Sequence, residues 1–139
     1  MQDQEKSLLI SNLEATMRRF VRGFRRELND QLGEGFTSSE LSFLRTIKEK
    51  KCHNVSSLAS TLNVSNSHAT SVMDRLVEKS LIVRTRSKKD RRVVVFMLTE
   101  EGERMYQTLD QKRESYMQQR FERLSKEEIQ ELIRIFNLL

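Results

Sequence analysis

Six basic side chains lie within nine residues of this chain, in the segment from Arg84 to Arg92. Asp90 is the one acidic member, so the segment carries a net charge of +5. The whole chain has 25 basic and 20 acidic residues, which leaves 19 of each outside the segment, where they cancel. Charge concentrated in this way suits a polyanion, because guanidinium and ammonium groups pair with phosphate. A solvated loop is the simpler alternative, and the residues upstream decide between the two.

The residues upstream are typical of two short helices joined by a turn. Leu58, Ala59 and Leu62 form one face of a first helix, which we expect Ser56 to cap. Asn63 tolerates the left-handed backbone that a tight turn between helices requires. Ser65 can then cap a second helix that runs to about Lys79. The apolar residues of this second helix follow helical spacing and predict a buried face: Ala69, Val72, Met73, Leu76 and Val77.

The opposite side of the second helix carries mostly short hydrogen-bonding side chains. A solvated helix would usually be richer there in glutamate and lysine. Short polar side chains near a helix N-terminus can reach base edges and phosphates in the major groove of DNA. The residues predicted to contact DNA from this helix are Ser65, Asn66, Ser67, His68, Thr70, Ser71 and Arg75.

After Lys79 the pattern changes to that of a β-hairpin with a charged tip. Leu81 to Arg86 and Arg92 to Leu98 are rich in β-branched and large apolar residues, and polar Ser87 to Arg91 lies between them. Helix, turn, helix and basic hairpin predict a winged helix-turn-helix, in which the hairpin is the wing. The predicted DNA contacts of the wing are Arg84, Arg86, Ser87, Lys88, Lys89, Arg91 and Arg92. We expect Asp90 to orient a neighbouring arginine, because phosphate would repel its carboxylate.

These motifs resemble the MarR family of bacterial transcriptional regulators over nearly the whole chain. The resemblance is carried by Leu62-Asn63-Val64-Ser65, by Asp74-Arg75-Leu76-Val77-Glu78-Lys79, and by Asp90-Arg91-Arg92 followed by Leu98-Thr99-Glu100-Glu101-Gly102. It implies a homodimer that binds double-stranded DNA at an inverted-repeat operator. It also implies a small-molecule effector pocket between the dimerisation helices and the DNA-binding lobe. Ser80 departs from the family pattern, which usually has glycine after the recognition helix.

The elements that flank this central region are apolar helices at both ends of the chain. Residues 4–32 and the residues after Ser125 carry apolar stripes at helical spacing, although only 37% of the chain is hydrophobic. Thr37 with Glu40, and Ser125 with Glu128, predict capping boxes, and Thr99 predicts the start of a helix that runs to about Arg123. We therefore expect one mainly α chain with three parts. Residues 1–36 form an N-terminal dimerisation helix, 37–98 the winged helix-turn-helix, and 99–139 the C-terminal dimerisation helices.

Nothing in the sequence predicts an enzyme, a metal site or a cofactor. Gly-rich phosphate loops, nucleophile-elbow sequences and paired-histidine zinc motifs are absent from it. Cys52 and His53 are adjacent at a predicted helix end and do not form a metal site, and we interpret Cys52 as an incidental thiol, with a redox switch as the alternative. A single cysteine, a polar N-terminus and the lack of an apolar run of roughly 18 residues predict a cytoplasmic protein without a membrane segment.

The sequence thus predicts a sequence-specific regulator of transcription that acts as a repressor and is released by a small molecule or stress signal. The alternative is a winged-helix adaptor that binds another protein and has no DNA role. Such an adaptor would lose the charge of the wing and would carry apolar residues on the outer face of its second helix. This sequence does neither.

Overall fold

The computed structural model describes residues 1–33, 35–50 and 54–139. Within these ranges the chain forms six helices and one antiparallel hairpin, which confirms the predicted mainly α fold with a small wing. The helices are α1 (Gln2–Leu32), α2 (Ser38–Lys50), α3 (Val55–Leu62), α4 (Asn66–Glu78), α5 (Glu100–Arg120) and α6 (Lys126–Asn137). The strands are β1 (Ile82–Arg86) and β2 (Val94–Leu98). None of the described helices has the length and apolar character needed to cross a membrane.

Helix α2 is the central element of the core. Its side chains Leu41, Phe43, Leu44 and Ile47 are at most 3% exposed. The helix contacts five other elements, α1, α3, α4, α5 and β2. Burying these four side chains contributes about 1.5–3 kcal/mol each before the entropy of folding is subtracted. The position of α2 therefore determines where the elements around it lie.

The turn of the helix-turn-helix forms at Asn63, as the sequence predicted. Asn63 has φ 55° and ψ 49°, which is the left-handed conformation that asparagine tolerates. The predicted cap of α3 was wrong, because Asn54 and not Ser56 occupies the N-cap position. The carboxamide oxygen of Asn54 accepts a hydrogen bond of 2.8 Å from the backbone N–H of Ser57, and Ser56 lies inside the helix. Asparagine caps as well as serine does, and it stands one residue before the first helical position.

The start of α2 forms only half of the predicted capping box. The hydroxyl of Thr37 accepts from the backbone N–H of Glu40 at 3.3 Å, as expected. The carboxylate of Glu40 should then accept from the backbone of Thr37, but it accepts from Lys79 Nζ at 2.7 Å. Glu40 is only 2% exposed, and a buried carboxylate is stabilised more by a cation than by one more peptide group.

Ser80, which follows the C-cap residue of α4, has a left-handed conformation although it is not glycine. Ser80 has φ 62°, its N–H donates to the carbonyl of Val77, and the N–H of Leu81 donates to the carbonyl of Leu76. This pair of bonds is the Schellman arrangement, which usually has glycine at the left-handed position. Serine there costs about 1 kcal/mol relative to glycine.

Each strand of the hairpin begins later than predicted and ends where predicted. Leu81 closes the end of α4, so β1 begins at Ile82. On the return side, the N–H of Val93 donates to the carbonyl of Asp90, which extends the loop and delays β2 to Val94. The register then pairs Ile82 with Leu98 and Arg86 with Val94.

The two C-terminal helices begin as predicted, and α5 ends earlier than predicted. The Thr99 hydroxyl caps α5 by accepting from Gly102 N–H, and Ser125 and Glu128 form a complete capping box for α6. Helix α5 stops at Arg120 and not near Arg123, because residues 121–124 form the turn that precedes the extended cap at Ser125. No residue of α6 is buried within the chain.

Helix α1 is attached to the rest of the chain through its C-terminal part. Leu28 and Leu32 are its buried residues, and Gly33 with φ 69° ends it. The Tyr116 hydroxyl of α5 donates to the carboxylate of Glu27. Burial, together with this carboxylate, raises the pKa of Tyr116 to about 12. The apolar side chains of the N-terminal part stay exposed, with Leu9 67% and Leu13 55% exposed.

A close backbone contact at Gly102 yields a stability prediction. A Cβ atom there would lie 1.9 Å from the carbonyl oxygen of Leu81, which is backbone and cannot move aside as a side chain could. We therefore expect Gly102→Ala to lower the free energy of unfolding by about 1–3 kcal/mol or more. Urea unfolding followed by circular dichroism at one protein concentration measures it.

Gly23→Ala is the matched control for this substitution. Gly23 also lies inside a helix, but a Cβ atom there would meet nothing within 4 Å. Alanine should therefore stabilise that helix, by about 0.5–1 kcal/mol. If both alanine variants were as stable as the wild type or more so, the close approach of α5 to Leu81 would be wrong.

Candidate nucleic-acid interface

Helix α4 buries one face completely and exposes the other. The side chains of Ala69, Val72, Met73 and Leu76 are at most 1% exposed, so the orientation of the helix is fixed by the core. Six of the predicted DNA-contacting residues flank this seam and are exposed: Asn66, Ser67, His68, Thr70, Ser71 and Arg75. The seventh, Ser65, is exposed too, but its hydroxyl oxygen already caps the helix by accepting from His68 N–H at 3.0 Å.

His68 is held against α2 at the first turn of α4. Its Nε2 atom lies 3.3 Å from the hydroxyl oxygen of Ser39. Its ring packs edge-on against the ring of Phe43, with 6.3 Å between the two ring centroids. The sequence predicted that His68 faces the groove and contacts DNA. The structure brings it between that face and the neighbouring helix, where its ring orientation is restricted.

The loop of the wing is closed by several local hydrogen bonds. The N–H of Ser87 donates to the carbonyl of Val93 at 2.9 Å, and Arg86 Nη1 donates to the carbonyl of Arg91 at 2.8 Å. Within the loop, the N–H of Lys89 donates to the Ser87 hydroxyl at 3.2 Å. These bonds give the loop a defined shape although it contains no proline or glycine.

Asp90 and Arg92 form a bidentate ion pair at the tip of the wing. Arg92 Nε lies 3.1 Å from Asp90 Oδ1, and Arg92 Nη2 lies 3.3 Å from Oδ2. The backbone N–H of Arg92 donates to the same carboxylate at 3.0 Å. The guanidinium, and then this backbone bond, lower the pKa of Asp90 below its usual range, so the carboxylate stays charged near neutral pH. The Arg92 side chain nevertheless remains 91% exposed, which leaves its outer edge open to a ligand.

Arg84 is directed at α4 and not at the tip of the wing. Its Nη2 atom lies 2.9 Å from Asp74 Oδ1, and its guanidinium stands 5.6 Å from the centroid of the Phe96 ring. The structure thus separates Arg84 from the other wing residues and uses it to join the base of the hairpin to the exposed face of α4. Sequence reasoning missed this role of Asp74, and its only signal was an acidic residue on a face of small polar ones.

Four exposed cations of the predicted interface form neither an ion pair nor a hydrogen bond through their side chains with any described residue. Lys88, Lys89 and Arg91 belong to the loop of the wing, and Arg75 belongs to α4. Because the Asp74–Arg84 pair joins α4 to the hairpin, Arg75 and the wing belong to one connected surface. This surface carries unneutralised positive charge next to short polar side chains.

A cavity lies between α1, α2 and α5, and sequence reasoning did not identify its residues. It has a volume of about 430 Å³ and combines apolar walls, including Val21, Phe24 and Met117, with the arginines Arg25, Arg45 and Arg113. Arg45 and Arg113 both bind Asp110, at 3.0 and 2.8 Å. Burial alone would raise the pKa of Asp110, but the hydrogen bonds from Arg113 and Arg45 lower it below its usual range. Three arginines and one carboxylate give the cavity a net positive charge beside its apolar walls.

The described part of the chain holds no group of three or more His, Cys, Asp or Glu side chains that could bind a metal ion. The predictions for Cys52 and His53 lie outside the described residues. The site is thus defined by surface charge, hydrogen-bonding groups and the position of α4.

Two packed helices, a left-handed turn, an exposed second helix and a basic hairpin define a winged helix-turn-helix protein. Comparison with known proteins gives the family: the MarR family model matches residues 36–94. The chain is 34% identical over 134 residues to an uncharacterized HTH-type transcriptional regulator, YpoP of Bacillus subtilis, covering 96% of this chain and 95% of that protein. The chain therefore belongs to the MarR family of transcriptional regulators. This confirms both the resemblance and the predicted class of function.

Two further proteins are similar over most of their length. The HTH-type transcriptional repressor MdtR of Bacillus subtilis is 30% identical over 122 residues, which are 87% of this chain and 79% of that protein. A mutant MarR from E. coli, solved in complex with operator DNA, has the same fold with a TM-score of 0.82. That likeness covers 92% of this chain and 93% of the other at 24% identity.

Proposed function

We propose that this protein binds an operator in double-stranded DNA as a homodimer and represses transcription. It does so in the cytoplasm, and a small-molecule effector releases it. The observation that carries the proposal is the continuous surface formed by the outer face of α4 and the wing. It combines short hydrogen-bonding side chains with cations that no acidic group among the described residues neutralises, which is what base edges and phosphates require.

Each part of this surface has a separate task. The first turns of α4, from Ser65 to Ser71, enter the major groove, and Arg75 binds phosphate. The DNA phosphate backbone is contacted by Lys88, Lys89 and Arg91. Arg92 enters the flanking minor groove, where the negative potential favours a guanidinium. Arg86 and Ser87 shape the loop, and Asp90 holds Arg92. Arg84 supports the wing from its base through Asp74.

The outer face of α4 supports DNA binding over an adaptor role. The large apolar side chains that are exposed in the described chain lie on or next to α1, on the hairpin, and on or next to α6, and none of them belongs to α4. A surface that binds a protein through this helix would need an apolar centre. The name of MdtR supports repression as the direction of control.

Dimerisation follows from the apolar surface at the two ends of the chain. Leu9 and Leu13 of α1 and Ile133 and Phe136 of α6 are each at least 55% exposed, and α6 buries no residue within the chain. We assign residues 1–36 and 99–139 to a shared dimerisation region, and residues 37–98 to the DNA-binding lobe. The 430 Å³ cavity lies where the two regions meet. Its arginines and apolar walls suit a small organic anion as the effector.

Selection of bound fragments from random duplex DNA tests the proposed function and yields a site together. A two-fold dimer should select an inverted repeat with half-sites about 10 bp apart, which is one turn of the duplex. If roughly 6–10 phosphates are neutralised, the affinity should fall about 10³- to 10⁵-fold between 50 and 200 mM salt. A motif without inverted symmetry, or affinity that barely responds to salt, would reject the proposal.

Arg92 is predicted to be the wing residue with the largest effect on DNA affinity. Asp90 already holds its guanidinium, so less side-chain entropy is lost on binding than for a free lysine. Arg92→Ala should cost about 1–3 kcal/mol of operator affinity, measured by fluorescence anisotropy. The melting temperature should change little, because the side chain is 91% exposed.

Lys89→Ala is the matched control, since it also removes one cation from the same loop. It should cost less affinity and act mainly through the dependence on salt. Replacing A·T pairs by G·C at the operator flanks changes the width and the potential of the minor groove. This replacement should weaken DNA binding by the wild type more than DNA binding by the Arg92→Ala variant. Strictly additive effects of the protein and operator changes would mean that Arg92 does not read the flank.

The dimer is predicted to depend on the apolar face of α6. Light scattering of the wild type should give about twice the chain mass of 16.5 kDa. Ile133→Asp should convert it into monomers or aggregates and abolish operator binding, because a charge would be buried in the interface. Gln130→Asp on the polar side of the same helix should leave the mass unchanged. A stable Ile133→Asp dimer would place the interface elsewhere.

A further inference from the structure

The first turn of α2 contacts both ends of the recognition helix α4. Ser39 lies 3.3 Å from His68 Nε2 in the first turn of α4. The next residue, Glu40, accepts from Lys79 Nζ at 2.7 Å, directly after the last turn of α4. Two adjacent residues thus hold two points of α4 that are eleven residues apart in the sequence.

The contact between Glu40 and Lys79 is more extensive than an exposed ion pair. The Glu40 side chain is 3% exposed and that of Lys79 is 32% exposed. Lys79 Nζ also donates to the carbonyl of Gly35 at 3.2 Å and stands 4.2 Å from the centroid of the Phe36 ring. All three partners belong to the segment that connects α1 to α2 or to the start of α2. Exposed pairs contribute little, but a buried carboxylate that loses its cation is strongly destabilised.

The same turn of α2 is also fixed to α1. The backbone N–H of Ser38 donates to Asn29 Oδ1 at 2.8 Å. Since α1 belongs to the proposed dimerisation region, the chain of contacts runs from that region through Ser38 to Glu40 and on to Lys79. No other described ion pair joins α4 to α2.

We propose that Glu40 and Lys79 are a positioning pair that holds the C-terminal end of α4 at the angle required for DNA binding. Neither residue touches DNA, and both act through the orientation of α4. The inference rests on the proposed function, because its consequence is an effect on operator affinity. It predicts that the ammonium group of Lys79 pairs with Glu40 and does not contact a DNA phosphate.

The experiment compares Glu40→Gln, Lys79→Met, Lys79→Arg and the double variant Glu40→Gln/Lys79→Met with the wild type on the selected operator. Glu40→Gln and Lys79→Met remove one charge each and keep the shape of the side chain. Each should weaken binding about 3- to 10-fold, and the double variant no more than the weaker-binding single variant, as for residues that act as a unit. Lys79→Arg retains the pair and should bind within about twofold of the wild type.

Salt dependence separates a positioning role from a phosphate contact. With Lys79→Met, the slope of log affinity against log salt should equal that of the wild type, whereas loss of a phosphate contact would reduce it by about 1. Lys112→Met is the matched control. Lys112 also donates to a backbone carbonyl at the end of a helix, that of Leu32 at 3.3 Å, but it lies on α5. The Lys112→Met variant should therefore bind DNA as the wild type does.

Amide hydrogen exchange provides a readout that does not involve DNA. Glu40→Gln should speed exchange at Lys79, Ser80 and Leu81, whose N–H groups close the end of α4, and leave α6 unchanged. Unchanged exchange there, additive losses of affinity, or a reduced salt slope with Lys79→Met while Glu40→Gln binds normally would each overturn the positioning pair. A wild type that selects no duplex would reject the proposed function instead, and hydrogen exchange would still decide whether the pair holds α4.

Discussion

The burial of one face of α4 is the constraint on which the rest of the structure depends. Ala69, Val72, Met73 and Leu76 are almost completely removed from solvent, so rotation of the helix about its axis would expose apolar surface and cost several kcal/mol. The opposite face is presented outward as a consequence, whatever its residues are. Because the core determines which face is exposed, the polar side chains of that face need no further structure to display them.

The features that follow from a few neighbouring residues could be predicted from the sequence. The left-handed turn at Asn63, the caps at Ser65 and Thr99 and the capping box at Ser125 each depend on groups within about four residues. The period of the apolar residues gave the inward face of α4 in the same way. The contacts of individual residues with DNA remain predictions, because they depend on a partner.

Features that depend on distant residues were not predicted. The Glu40 carboxylate has two potential hydrogen-bond donors, the nearby backbone N–H of Thr37 and the side chain of Lys79, which is 39 positions away in the sequence. Only folding brings Lys79 close enough to donate. Arg84 and Asp74 are joined for the same reason, since a strand and a helix must first pack. The sequence pattern correctly predicted that Arg84 is exposed. It did not predict that the guanidinium points toward Asp74. The arginines of the cavity come from three helices and share no sequence signal.

The junction at Leu81 has a mechanical consequence. Thr99 donates through its hydroxyl to the carbonyl of Ser80 at 2.8 Å and through its N–H to the carbonyl of Leu81 at 3.0 Å, and Gly102 rests directly on that second carbonyl. At Leu81, backbone therefore contacts backbone directly, and we expect the DNA-binding lobe and α5 to move as one rigid unit. A helix of 21 residues is about 31 Å long, so a tilt of about 5° displaces its far end by about 3 Å. A small rotation of α5 at its Gly102 end therefore displaces its other end by several ångströms.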